Sequence, residues 1–196
     1  MPQFKTEGVI LKRKDFGEAD RILTVFTKKF GKISILARGV RKITSRRAGN
    51  VELLNRVMMF LHQGKNFFIL TEAQSINTFE NLKNNLTLST YSYHLLELTA
   101  KLTAENQENP VLYDDLVSVL EKLSQNPRQI FIRAYEAKIL SLMGFASFKL
   151  SNLNWEEIEK LEINQKEAIA LESELRYHVE RVLEGELKSR KFLKYG

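Results

Sequence analysis

The spacing of hydrophobic residues changes once along this chain of 196 residues, near residue 78. Before that point, short runs of β-branched and aromatic residues alternate with polar positions and are separated by glycine-containing turns, a pattern typical of strands. After it, apolar residues recur every three or four positions, which is the period of an amphipathic helix. We therefore predict a β domain over residues 1–78 and a helical domain over residues 79–196.

Five runs in the first part have the length and composition of strands. They are TEGVILKR, DRILTVFTK, GKISILAR, ELLNRVMMFLH and NFFILTEA. In the third run Ile33, Ile35 and Ala37 fall on one face, and in the fourth Asn55 interrupts the apolar face. Five antiparallel strands in about 70 residues are typical of a small closed barrel of the OB type, with an SH3-like barrel as the alternative.

Four segments after residue 78 have an apolar stripe at helical spacing. They are TLSTYSYHLLELTAKLTAE, PVLYDDLVSVLEKLSQ, RQIFIRAYEAKILSLMGF and IALESELRYHVERVLEG. Pro110 suits the first turn of the second helix, and Gly144 and Gly185 suit the ends of the third and fourth. The predicted fold class is α+β: an N-terminal five-stranded OB-fold barrel followed by an all-α helical domain.

Positive charge is concentrated in the first quarter of the chain. Residues 1–50 hold 13 Lys and Arg against 4 Asp and Glu, a net charge of +9, and because the whole chain carries +6 the remainder carries −3. A basic module of this kind favours a polyanionic partner such as nucleic acid. An ordinary solvated surface is the alternative interpretation.

The segment LARGVRKITSRRAG, residues 36–49, contains five cations and no carboxylate. Guanidinium groups pair with phosphate oxygens and stack on bases, so this loop is the predicted nucleic-acid contact, largely independent of base sequence. The predicted DNA-binding residues are Arg38, Arg41, Lys42, Arg46 and Arg47, followed by Lys12, Arg13 and Lys14. Candidate stacking platforms are Phe26, Phe60, Phe67 and Phe68; the alternative is that half or more of these phenylalanines belong to the barrel core.

The sequence offers no pattern for catalysis or for a cofactor. It has no cysteine, no phosphate-binding glycine loop, no zinc-hydrolase motif and no nucleophile elbow. His62, His94 and His178 are far apart in sequence, and the paired carboxylates lie on predicted helices where neighbouring side chains diverge. No apolar run approaches the roughly 18 residues of a membrane span. We expect a soluble, cytoplasmic protein that is not an enzyme and binds no metal or cofactor.

Three segments carry a family resemblance. TEGVILKRKDFGEADRILTVFTKKFGKISILARGVRK, then RAYEAKILSLMGF, then LKSRKFL near the C-terminus together resemble the bacterial RecO family of DNA repair and recombination proteins. The resemblance implies an N-terminal OB barrel, a helical C-terminal domain and a non-enzymatic, nucleoid-associated recombination mediator. Such proteins bind single- and double-stranded DNA, anneal complementary strands, recognise the tail of single-stranded DNA-binding protein, and work with RecR to load RecA.

The same resemblance implies a peptide site on the helical domain. The tail of single-stranded DNA-binding protein is acidic and ends in an apolar residue with its terminal carboxylate, so its receptor needs an apolar slot edged by cations. Arg133, in the second matching segment, and Lys188 and Arg190, in the third, are the predicted cations. The alternative is that Arg133 is an ordinary surface arginine on an amphipathic helix and Lys188 a charge at a helix C-terminus.

One departure from the family pattern concerns zinc. Many members carry a four-cysteine zinc-binding insertion after a Gly-aromatic pair, whereas Gly144 and Phe145 here lead into a short segment without cysteine. No zinc is therefore expected.

The alternative to a recombination mediator is an RNA-binding or translation-associated OB protein, for which the same barrel and charge would serve.

Overall fold

The computed structural model of the chain describes residues 3–185 and 187–189. Its strands are β1 (Gln3–Phe16), β2 (Asp20–Thr27), β3 (Gly31–Ala37), β4 (Arg56–Gln63) and β5 (Phe68–Asn77). Its helices are α1 (Glu80–Asn84), α2 (Leu86–Leu102), α3 (Pro110–Gln125), α4 (Gln129–Leu142), α5 (Trp155–Lys160) and α6 (Gln165–Leu183). Short 3₁₀ turns lie at Gly49–Val51 and Lys149–Asn152. None of the helices in this part of the chain is long and apolar enough to cross a membrane.

The five strands close into a barrel in the order β1-β2-β3-β5-β4. All neighbours are antiparallel except β3 and β5, which run parallel and meet at Ile35 and Phe68. This arrangement of five strands is OB-like, as the sequence predicted. Ile33, Ile35 and Ala37 are buried in the barrel interior, which confirms the face assigned to the third run.

The fourth strand begins later than its sequence run. Leu54 has φ 73°, in the left-handed region, so extended backbone cannot pass through it and β4 starts at Arg56. Asn55 is fully buried outside the strand, where its side-chain amide donates to the carbonyls of Gly49 and Asn50, at 3.0 Å each. The polar residue that interrupted the apolar face therefore fixes the chain before the strand.

The chain is divided into two compact units. The first extends to Phe79 and also includes Thr103–Tyr113, a segment that the sequence pattern had assigned to the helical domain. Within this unit the rings of Phe26 and Tyr113 lie 6.2 Å apart, the N–H of Asn106 donates to the carbonyl of Lys32 at 2.8 Å, and the Lys32 ammonium donates to the carbonyl of Thr103. The segment therefore covers part of the outer face of β2 and β3.

The second unit contains Glu80–Leu102 and the described residues from Asp114 onward. The four predicted helices are present as α2, α3, α4 and α6. The short α5 lies where the paired carboxylates of WEEIEKLE were expected on a helix, whereas the short α1 was not predicted. Every residue of α4 from Ile130 to Ala137 is buried, so this helix lies inside the unit. Capping boxes begin α5 at Asn154 and α6 at Asn164, where each side chain accepts the N–H of a glutamate three residues later.

Candidate nucleic-acid interface

The basic segment forms a loop that leaves β3 and ends at the 3₁₀ turn Gly49–Val51. We call residues 38–48 the basic loop. It borders an open pocket of about 580 Å³. The pocket is lined by Asp20, Arg38, Gly39, Lys42, Thr44, Ser45, Arg46 and Arg47. Four of the five predicted cations of the segment therefore surround one concave surface.

The start of the basic loop is fixed by β2 and the turn before it. Gly39 has φ 64°, and its N–H donates to the Asp20 carboxylate at 2.7 Å. The N–H of Arg41 donates to the carbonyl of Ala19 at 2.9 Å. Asp20 is a residue that sequence reasoning missed, because its role depends on a hydrogen bond to backbone 19 residues away.

The end of the basic loop is fixed by β5. The Arg47 guanidinium donates from Nη1 to the carbonyls of Leu70, at 2.9 Å, and Thr71, at 3.3 Å, and from Nη2 to the carbonyl of Arg38, at 2.7 Å. Just beyond the loop, Asn50 Oδ1 accepts the N–H and the hydroxyl of Ser75, at 3.1 and 2.9 Å. Arg47 was predicted as a phosphate contact, whereas the structure shows its guanidinium engaged with main-chain carbonyls.

Three cations of the basic loop extend into solvent. Arg38, Lys42 and Arg46 are exposed, and none of their side chains forms a hydrogen bond or an ion pair with another described residue. Ile43, beside Lys42, is fully exposed. The loop therefore presents three uncompensated positive charges on a backbone that is held at both ends, an arrangement suited to an anionic polymer.

Two of the predicted cations are neutralised by carboxylates distant in sequence. Arg41 pairs with Asp15, at 3.4 Å, and Arg13 pairs closely with Glu52. Arg21 links the two pairs, because it contacts Asp15 at 3.1 Å and Glu52 at 3.3 Å. The prediction of uncompensated charge is therefore corrected for Arg41 and Arg13, since Asp15 and Glu52 compensate them in the folded chain.

Lys12 and Lys14 lie on the outer face of the barrel. Leu23 and Ile35 are fully buried and pair across β2 and β3, so the residues that alternate with them face outward. Two outward rows cross β1, β2 and β3. One consists of Lys12, Thr24 and Ser34, and the next consists of Lys14, Ile22 and Leu36. Because β3 continues directly into the basic loop, Lys14, in the row of Leu36, lies near the end of the barrel from which the loop leaves, and Lys12, in the row of Ser34, lies two residues further along the strand.

The predicted aromatic platforms are differently placed. Phe26 is fully buried against Tyr113, so it cannot stack on a base, and for this residue the core alternative is correct. Phe68 is half-buried and packs against Phe30, with ring centroids 5.7 Å apart. Phe60 and Phe67 are also half-buried, and the Lys5 ammonium lies over the Phe60 ring at 5.5 Å.

Arg133, the first residue predicted for the peptide site, is buried. Only 6% of it is exposed, and its guanidinium donates to Glu136 Oε2 at 2.7 Å. His94 Nε2 lies 2.6 Å from the other Glu136 oxygen. Burial alone would raise the pKa of Glu136, but the charge of Arg133 and the hydrogen bond and charge of His94 lower it to about 2. The expected position of Arg133 at an open rim is therefore corrected: its guanidinium compensates a carboxylate inside the helical unit.

The LKSR segment is anchored on α2. The N–H groups of Lys188 and Ser189 donate to the two oxygens of Glu97, at 2.9 and 2.8 Å, and Ser189 Oγ lies 3.3 Å from His94 Nδ1. Burial alone would raise the pKa of Glu97, but these N–H donors lower it to about 2. Lys188 is exposed, and Arg190 lies outside the described residues.

Metal-ligand geometry is not found in the part of the chain that the structure describes, where no three His, Cys, Asp or Glu residues come together. His94 is fully buried, as the partner of Glu136. The ring of His178 packs edge-on against Phe148, with centroids 5.3 Å apart.

Two family models match the chain in order. Residues 1–79 match the recombination protein O N-terminal domain, and residues 83–147 match the recombination protein O C-terminal domain. The first match covers the barrel and ends at the last residue of the first stretch of the barrel unit.

Several curated proteins named DNA repair protein RecO are similar to this chain. The protein of Roseiflexus sp. (strain RS-1) is 35% identical over 143 residues, which cover 72% of this chain and 50% of that protein. The protein of Acetivibrio thermocellus is 34% identical over 149 residues, covering 74% and 59%. That of Listeria monocytogenes serotype 4a is 30% identical over 141 residues, covering 71% and 55%.

The chain thus spans about half the length of the curated relatives that it matches. The two family models nevertheless match residues of both compact units, and the OB-like barrel followed by helices is the architecture that the resemblance implied. The chain belongs to the recombination protein O (RecO) family.

Proposed function

We propose that this chain is a DNA repair and recombination protein that binds single- and double-stranded DNA and anneals complementary strands. The observation that carries the proposal is the set of three exposed cations on the basic loop, Arg38, Lys42 and Arg46, whose side chains pair with no other described residue. Lys12 and Lys14 extend the positive surface along the outer face of the barrel. The relatives' name, DNA repair protein, agrees with a polyanionic ligand of this kind.

Annealing follows from how such a surface would hold a strand. Cations that pair with phosphates reduce the repulsion between two strands without covering the edges of the bases. The two outward rows from Lys12 to Leu36 consist of lysine, hydroxyl and aliphatic side chains, on which bases would not be sequestered by aromatic stacking. A strand held in this way keeps its bases available for a complementary strand, and no covalent step is required.

The partners proposed from the family are RecR, the tail of single-stranded DNA-binding protein and, indirectly, RecA. For the tail peptide, Lys188 is the best-placed cation, because it is exposed and its backbone is anchored by Glu97. Arg190 follows it in sequence. Arg133 would support this site from inside the helical unit through Glu136 and His94, which in turn lies beside Ser189.

The salt dependence of DNA binding tests the role of the basic loop. For a single strand, log K falls with log salt at a slope of about −0.7 per phosphate contact, so replacing Arg38, Lys42 and Arg46 by alanine should flatten the slope by about 2. The matched control replaces three exposed lysines of the helical unit, Lys149, Lys160 and Lys166, and changes the net charge equally. An unchanged slope in the loop variant, or equal flattening in the control, would contradict the proposal.

Annealing is tested separately, with two complementary strands that carry a donor and an acceptor dye. We expect the wild-type chain to accelerate pairing of strands coated with single-stranded DNA-binding protein, and the loop variant to lose most of this acceleration. Tighter binding to RNA than to DNA of the same sequence, without annealing, would favour the RNA-binding alternative.

A further inference from the structure

Arg47 differs from the other cations of the basic loop in how its side chain is used. It borders the same pocket as Arg38, Lys42 and Arg46, yet its two terminal nitrogens donate to three main-chain carbonyls at 2.7 to 3.3 Å. A guanidinium has five N–H donors in a fixed plane, so nitrogens turned toward carbonyl oxygens are poorly disposed toward a phosphate on the other side.

The three acceptors belong to two different parts of the barrel unit. The carbonyl of Arg38 is at the start of the basic loop, whereas those of Leu70 and Thr71 are in β5. Arg47 itself is at the end of the loop. One side chain therefore ties the start of the loop to its end, and both to a strand of the barrel.

We propose that Arg47 is a positioning residue, which holds Arg38, Lys42 and Arg46 in the arrangement that contacts DNA and does not itself pair with a phosphate. This inference rests on the proposed DNA binding by the basic loop. A loop that is ordered before binding loses less conformational entropy when DNA arrives. Lysine cannot replace arginine in this role. Its ammonium group has a single nitrogen, which cannot donate at the same time to the carbonyl of the loop and to the carbonyls of β5.

The experiment compares neighbouring residues that carry the same charge. Arg46→Ala should flatten the salt slope for a single-stranded oligonucleotide by about 0.7, as expected for one lost phosphate contact. Arg47→Ala should leave the slope unchanged and weaken binding about tenfold through the added cost of ordering the loop. Arg47→Lys keeps the charge and should weaken binding nearly as much as Arg47→Ala.

Hydrogen exchange gives a second readout, without DNA. Amides inside and just after the loop, those of Ser45 and Asn50, bond to loop carbonyls in the structure. They should exchange faster in Arg47→Lys than in wild type and in Arg46→Ala, while the barrel strands stay protected. A thermal melt identifies any variant that has lost the fold, and in that case Arg47→Gln, which can still donate to one carbonyl, is measured instead.

Two results would overturn the inference. One is full binding by Arg47→Lys together with a flattened slope in Arg47→Ala, which would make Arg47 a phosphate contact. The other is unchanged affinity and unchanged exchange in both variants. A failure of the proposed function has a different signature, because wild type would then bind no DNA or the variant lacking Arg38, Lys42 and Arg46 would bind as wild type does.

Discussion

Arg133→Met removes the guanidinium that faces Glu136 and keeps a side chain of similar length. The Glu136 carboxylate is then left 2% exposed, with His94 still 2.6 Å from one oxygen but without the cation that lay 2.7 Å from the other. Because both residues lie within the fully buried stretch of α4, water cannot solvate the charge without opening the helical unit.

The size of the effect follows from the geometry of the pair. With an effective dielectric constant of about 20, two unit charges 2.7 Å apart attract each other by about 6 kcal/mol, from which the lost hydration is subtracted. Breaking a buried pair by removing one partner costs about 3 to 5 kcal/mol. For a unit of about 100 residues, we therefore expect the melting temperature to fall by about 12 °C or more.

The single tryptophan of the chain provides the assay. Trp155 belongs to the helical unit, where its indole N–H donates to Asp115 at 2.8 Å, so its fluorescence during urea unfolding reports on that unit. The control is Arg176→Met, which breaks an exposed pair with Glu180 on α6 and should change the free energy of unfolding by less than about 1 kcal/mol.

A double variant, Arg133→Met with Glu136→Gln, separates charge from packing. It removes both charges and leaves an amide that can hydrogen-bond to His94, so it should be more stable than the sum of the two single changes predicts, by about 2 kcal/mol or more. Strict additivity of the two single variants, or an effect of Arg133→Met no larger than that of Arg176→Met, would refute the reasoning.

Three further predictions concern acid, the C-terminal segment and a glycine. The helical unit should lose stability as the pH falls from about 4.5 toward 2, because Glu136 and Glu97 bind protons in the unfolded chain but not in the folded one, where their pKa values are about 2. Urea unfolding followed by Trp155 fluorescence measures the free energy of unfolding at each pH, and Glu136→Gln should reduce its dependence on pH. Glu97→Ala should speed hydrogen exchange at the amides of Lys188 and Ser189, whereas Glu174→Ala, on the exposed face of α6, should not. Gly31→Ala places a Cβ 1.8 Å from the Gln107 carbonyl oxygen and should lower the melting temperature of the barrel unit more than Gly17→Ala, since Gly17 has a similar φ and open space around it.

The strands and the main helices could be predicted because each is set by a local period. Ile33, Ile35 and Ala37 had to face one way in any extended chain, and an OB barrel accommodates five such strands with a long polar connection after the third. The positions of the cations in the basic loop were equally visible. The pairing of Arg13 with Glu52 could not be predicted from a local pattern, because the two residues are 39 positions apart.

The sequence around Arg133 contains a signal that this residue is buried. The segment IFIRAYEA is apolar on nearly every side of a helix, which indicates a helix inside a bundle rather than on its surface. On such a helix, Arg133 and Glu136 at a spacing of three form a buried ion pair. Their third partner, His94, could not be inferred, because it depends on how α2 packs against α4.

The barrel unit is discontinuous in sequence, and this affects the order in which it can fold during synthesis. When the first 79 residues have left the ribosome, all five strands are present, but Tyr113, which covers Phe26, has not yet emerged. At about 5 to 20 residues per second, the ribosome needs a few more seconds to supply it. Throughout that time the nascent barrel exposes an aromatic side chain on β2, so the barrel is complete only after α2 has also emerged.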